Sequence, residues 1–159
     1  YLSAVIEQYQ QGKNNGMMYR LARRAAHNAH IELSSMISSL STEPNPNQEL
    51  IHHAFRYLVY SHSQLSYVSA LGSHRELIED VQILELMQWC ADTLDMAVNQ
   101  QHSISEASLN EKLAEIQQLN AQSDLSDHLL LVLKQISLLI ETLPELLKLR
   151  DTLLALEIK

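Results

Sequence analysis

Histidines near the N-terminus are the residues with the clearest capacity for chemistry. His27 and His30 are three positions apart, which places two imidazoles on the same side of a helix, where they could bind one zinc ion. A zinc site needs more ligands, and the His52-His53 pair or Cys90 could complete it. Solvated or hydrogen-bonded histidines are the alternative, and the sequence as a whole predicts no metal site and no cofactor.

Another histidine lies between two serines, in Ser61-His62-Ser63, and these residue types could supply a nucleophile and a general base. Adjacent residues on a helix do not face one another, however, and no glycine-rich elbow accompanies them. We therefore predict that His62 is a buried histidine that fixes helix register through hydrogen bonds to serine or tyrosine hydroxyls. Because the chain also has no P-loop, dinucleotide fingerprint or HExxH motif, the sequence predicts no enzyme and no catalytic residue.

Arg20, Arg23 and Arg24 form the one compact basic patch of the sequence. They could contact acidic lipid headgroups, the acidic second half of the chain or an anionic ligand, and ordinary solvated charge is the alternative. The formal net charge of −8 argues against general nucleic-acid binding. Residues 17–75 carry five basic and three acidic side chains, a net of +2, whereas residues 76–159 carry five and fifteen, a net of −10. This asymmetry indicates two surfaces that face different surroundings, or each other.

The elements that position these residues are predicted to be helices. The 159 residues are 46% hydrophobic but contain only 3 glycines, 3 prolines and 5% aromatic residues, a composition typical of helical proteins. We predict an all-α helical bundle of five to six helices with antiparallel neighbours, forming a single soluble domain over residues 1–159. Residues that favour caps and turns place the helices at about 1–11, 17–42, 48–71, 75–100, 105–120 and 125–158. Pro144 predicts a kink or a fresh helix start within the last of these, and no segment is apolar for long enough to span a membrane.

Two helices have predictable faces. The helix at 17–42 should bury one apolar side and expose an opposite side that carries Arg20, Arg24 and His27. The predicted buried side consists of Met18, Ala22, Ala25, Ala29, Leu33, Met36 and Leu40. The helix at 48–71 has two apolar stripes, which predicts a central position in the bundle with His62 inside the first stripe.

Three segments, "YRLARRAAHNAHIELSSMISSLSTEPN", "SHSQLSYVSALGSHRE" and "ISLLIETLPELLKLR", resemble a known family. They are similar to the cytoplasmic carboxy-terminal domain of the YccS/YhfK group of bacterial inner-membrane proteins, within the fusaric acid resistance and aromatic acid exporter superfamily. The match extends from about Tyr19 to Arg150, and its ALGSHRE segment adds His74 and Arg75 to the candidate interaction positions. One departure is His30, where the group commonly has an acidic residue, and this argues against the His27/His30 metal pair.

The resemblance implies that a transmembrane block precedes Tyr1 in the full protein and that this domain lies in the cytoplasm at a bacterial inner membrane. Members of the group are described as transport or efflux proteins, with no established substrate and no catalytic residue set. We therefore predict the soluble domain of an efflux transporter that acts in assembly, interaction or gating. Its predicted partners are the transmembrane block of its own chain and further copies of itself. The alternative is a ligand- or metal-sensing helical module.

Overall fold

The computed structural model describes residues 1–11, 16–73, 76–98, 104–122 and 124–157. These residues form six α-helices and, within those ranges, no β-strand, which confirms the predicted all-α fold. The helices are α1 (Leu2–Gln11), α2 (Gly16–Leu40), α3 (Gln48–Ser73), α4 (Val81–Val98), α5 (Glu106–Asn120) and α6 (Asp127–Glu157).

Side-chain caps determine where two of these helices begin. The side-chain oxygen of Asn47 accepts hydrogen bonds from the backbone amides of Glu49 and Leu50, both at 3.1 Å, so that α3 starts as predicted. The side-chain oxygen of Asp80 likewise accepts a hydrogen bond of 3.2 Å from the backbone amide of Ile83 and so caps α4. The prediction that this helix starts near residue 75 is therefore wrong, since residues 76–80 are not helical.

Helix α3 packs against α6 in the antiparallel sense. The Gln64 side-chain amide donates to the backbone carbonyl of Leu139 at 2.9 Å. Eight residues earlier on α3, Arg56 forms an ion pair of 2.6 Å with Glu145, which is later on α6. Helix α2 is likewise antiparallel to α3, because Tyr19 lies against Gly72 at one end and His30 approaches Ser61 near the middle. The predicted antiparallel arrangement is confirmed for these pairs.

One cluster of buried side chains draws on all six helices. Its fully buried members come mainly from three helices, and they include Val5, Ile6 and Tyr9 of α1, Ile83, Leu86 and Met87 of α4, and Leu133, Ile136, Leu139 and Ile140 of α6. Helix α2 contributes only Tyr19 to this cluster. It is therefore the helix least embedded in the fold.

Pro144 lies inside α6, which continues through it from Asp127 to Glu157. The structure thus excludes the fresh helix start that was one of two expectations for this position. Proline inside a helix costs about 3 kcal/mol, because it removes a backbone donor and crowds the preceding turn. Burial of Leu139, Ile140 and Leu143 just before the proline offsets this cost.

The buried side of α2 differs from the predicted one. Met18 and Met36, which were expected to be buried, are 54% and 67% exposed, while Tyr19 and Ile37 are each 3% exposed. The helix is rotated about its axis so that Tyr19, His30 and Ile37 face the bundle. A tyrosine and an isoleucine bury much more apolar area than the alanines on the predicted side, and this difference favours the observed register.

Candidate functional site

Two histidines meet at the contact between α2 and α3. His30 Nε2 lies 3.2 Å from His62 Nδ1, and the two ring centroids are 5.1 Å apart with the planes inclined at 37°. The other ring nitrogen of His30, Nδ1, lies 3.4 Å from Ser61 Oγ. The antiparallel packing of the two helices brings position 30 level with positions 61 and 62, so this cluster of three side chains follows from the fold.

The prediction that His62 is a core histidine is wrong, because its side chain is exposed. The buried residues of α3 include Gln64, Val68 and Leu71. Val68 belongs to the first apolar stripe of the sequence and Leu71 to the second, and Gln64 lies between them. His62 lies toward the outer margin of the first stripe, as does Phe55, which is 42% exposed. The histidine does make a polar contact, but with another histidine instead of a serine or tyrosine hydroxyl.

The zinc ligands considered from the sequence do not come together. Cys90 is in the core at 2% exposure, and burial raises the pKa of its thiol to about 12, so a thiolate ligand is disfavoured there. The ring of His52 contacts that of its neighbour His53, with centroids 5.6 Å apart. Among the described residues, no group of three or more histidine, cysteine, aspartate or glutamate side chains is arranged to hold a metal.

The charge state of His30 depends on its surroundings. Burial lowers its pKa, and the charges of His62 and His27 lower it further. All three effects favour the neutral imidazole, which has one nitrogen lone pair free to accept a proton or bind an ion. His27 itself is half-buried, and its Nε2 atom is buried with no hydrogen-bond partner in the structure.

The arginines of α2 form the second candidate feature. Arg20, Arg23 and Arg24 are exposed, and in the described part of the chain none of them forms an ion pair with an acidic side chain. They share the outer side of α2 with Met17 and Leu21, which are 66% and 56% exposed. The remaining two candidate positions, His74 and Arg75, lie outside the described residues.

Sequence reasoning missed Gln64, which is a buried polar link between helices. Its side chain is 8% exposed, and its amide nitrogen also donates to Thr142 Oγ1 at 2.8 Å. The sequence did carry a signal, since Gln64 is a polar residue set between two apolar stripes of one helix. A buried amide in such a position fixes the register of α3 against α6, because any sliding would leave its donors without partners.

The fold and these side chains define an all-α domain in which polar side chains link the helices to one another. No helix in the described ranges is both long and apolar enough to span a membrane.

Comparison with known proteins finds two relatives of this chain. The chain is 41% identical over 150 residues to the "Inner membrane protein YccS" of Escherichia coli K12. It is also 38% identical over 82 residues to an uncharacterized protein of Haemophilus influenzae. These matches cover 92% and 52% of this chain, but only 20% and 11% of the respective relatives. No family model and no solved structure matches the chain.

The resemblance of the chain to a YccS-type membrane protein is therefore confirmed, and the chain is a helical domain of that type. It spans about a fifth of the length of the E. coli relative.

Proposed function

We propose that this chain is a non-catalytic domain of an inner-membrane transporter and that it acts through contacts that assemble or gate the transporter. The similarity to a protein named as an inner membrane protein supports the membrane association. The transport and efflux role comes from the family resemblance. The proposed location is the cytoplasmic side of a bacterial inner membrane.

The observation that carries this proposal is the outer surface of α2. We define this surface by Met17, Met18, Leu21, Ile31 and Met36, whose side chains are between 54% and 67% exposed. A helix that leaves this much apolar side chain in water typically has a partner that covers it. The exposed arginines beside these residues would add charge complementarity to an acidic partner.

We assign this surface to self-association, with the transmembrane block of the same full-length chain as the second partner. The basic side chains of α2 suit the acidic residues 76–159 of another copy, which have a net charge of −10. Contact through α2 would let a rearrangement of this helix bias the pore or its gate. Deletion of the domain from the full-length protein is then expected to impair both assembly and transport.

Light scattering behind a sizing column, across a concentration series, tests the self-association. We expect a concentration-dependent dimer or higher oligomer that the double substitution Leu21→Ser with Met36→Ser abolishes. The matched control is Val81→Ser, since Val81 is 64% exposed but begins α4, away from α2. The proposal fails if both of two results are found: the wild-type chain stays monomeric at high concentration, and deletion of the domain leaves assembly and transport intact.

A further inference from the structure

The contact between His30 and His62 has a geometry that suits more than a hydrogen bond. We propose that these two side chains bind one divalent transition-metal ion, of the Zn²⁺, Ni²⁺ or Cu²⁺ class, and thereby cross-link α2 to α3. This site differs from the His27/His30 pair that the sequence suggested, because its two ligands come from different helices. It also goes beyond the proposed role in assembly and does not depend on it.

The separation of the two nitrogens is the first argument. Imidazole nitrogens bind Zn²⁺ at about 2.0–2.1 Å, so two of them on one tetrahedral ion lie about 3.3–3.4 Å apart. His30 Nε2 and His62 Nδ1 are already 3.2 Å apart. An ion could therefore enter with a movement of only a few tenths of an ångström.

The placement of the rings is the second argument. Two histidines on one tetrahedral ion have ring centres about 5.2 Å apart when each ring centre lies on its metal–nitrogen axis. A straight N–H···N hydrogen bond between nitrogens 3.2 Å apart would place the ring centres about 5.5 Å apart. The observed distance of 5.1 Å is closer to the first value. The two rings thus converge on a common point more than they lie end to end.

The environment of His30 is the third argument. A metal-bound histidine usually donates its other ring N–H to a nearby acceptor, which fixes the ring and selects the tautomer. Ser61 Oγ lies 3.4 Å from Nδ1 of His30 and can play this part, leaving Nε2 with its lone pair toward His62. On binding, His62 carries its proton on Nε2, and two nitrogen–metal bonds replace the contact between the rings.

The rest of the coordination sphere is water. No third histidine, cysteine or carboxylate joins the pair in the part of the chain that the structure describes. A site with two protein ligands exchanges its ion readily, unlike a closed four-ligand structural site. The ion would hold α2 against α3 near the middle of both helices, so its effect should appear as added stability.

Titration of the tag-free chain with NiCl₂ or ZnCl₂ tests the site, followed by isothermal calorimetry and by thermal unfolding. We expect one ion per chain. The unfolding midpoint should rise by about 5–10 °C when free metal is a hundredfold above its dissociation constant. Mn²⁺ should act more weakly and Mg²⁺ not at all, because imidazole ligands favour the later transition metals.

Three substitutions make the test specific. His30→Gln and His62→Gln should each abolish the calorimetric signal and the rise in midpoint. His52→Gln is the matched control, because His52 is an exposed histidine on the same helix as His62, and it should retain both. The proposal is overturned if the wild-type chain binds no ion. It is equally overturned if His62→Gln binds the ion like the wild type. Because His62 is exposed, this substitution can be made without disturbing the core.

Discussion

Gly72 has no room for a side chain. A Cβ atom built there would lie 2.6 Å from Tyr19 Oη and 2.8 Å from Tyr19 Cε2, closer than Cβ atoms approach other heavy atoms in real structures. The tyrosine cannot easily move aside, because it is 3% exposed and its ring packs at 5.8 Å from that of Tyr1. Gly72→Ala should therefore strain the contact that anchors α2 to the end of α3.

The size of this effect follows from two opposing contributions. Inserting a methyl group into a filled site costs about 1–3 kcal/mol. Replacing glycine by alanine within a helix stabilises the folded state by about 0.5–1 kcal/mol, and by less near a helix end such as this one. The expected net loss is about 1–2 kcal/mol, which corresponds to a fall of about 2–8 °C in the unfolding midpoint.

Thermal and urea unfolding of four variants checks this reasoning: Gly72→Ala, Gly16→Ala, Tyr19→Leu, and Tyr19→Leu combined with Gly72→Ala. Gly16→Ala is the matched control, because no atom lies within 4 Å of a Cβ built there, and its midpoint should stay level or rise slightly. In a Tyr19→Leu background, which removes the ring, the added cost of Gly72→Ala should vanish. A Gly72→Ala midpoint equal to that of the wild type, or a loss that persists without the Tyr19 ring, would refute the steric argument.

Three further predictions concern buried or perturbed polar groups. Tyr9→Phe should lower the free energy of unfolding, measured with urea, by about 1–2 kcal/mol. The reason is that the Tyr9 hydroxyl donates a hydrogen bond of 2.6 Å to the backbone carbonyl of Leu71, in the last turn of α3. An unchanged urea midpoint would contradict this prediction. Cys90 should react with a thiol reagent at pH 8 only as fast as the protein unfolds, since its pKa is raised to about 12 by burial, and rapid labelling of folded protein would show an accessible thiol. The pKa of His30 is lowered in the folded state by burial and by His62 and His27, so the unfolded chain binds the proton more readily. The free energy of unfolding should therefore fall as the pH drops below about 6.5, the pKa of an unperturbed histidine. This fall should be smaller in His30→Gln than in the wild type, and equal pH profiles of the two proteins would contradict the prediction.

The sequence predicts local features of this fold well. Six helices and most of their ends follow from apolar periodicity and from capping residues such as Asn47, because these signals act over a few neighbouring positions. The start of α4 was misplaced because the amide of Ile78 pairs with the carbonyl of Tyr9, at 3.3 Å. That hydrogen bond joins segments distant in sequence and holds residues just before the helix in a non-helical conformation.

The histidine contact could not be predicted from the sequence, because it depends on how two helices are rotated against each other. Helix α2 has apolar residues on more than one side, so its pattern alone does not decide which of them α3 covers. The outcome depends on Tyr19 fitting against Gly72, a contact between residues far apart in sequence. Once that register is set, His30 faces Ser61 and His62.

The sparse burial of α2 has a consequence for the dynamics of the molecule. Only Tyr19 and Ile37 of its side chains are buried, whereas α6 buries a long row of leucines, isoleucines and a valine. The free energy needed to open a segment rises with the apolar surface that the opening exposes. We expect the backbone amides in the middle of α2 to exchange with deuterium through a local opening, well before the global unfolding that limits exchange in α6. Helix α2 would then be the first part of this domain to detach and dock again.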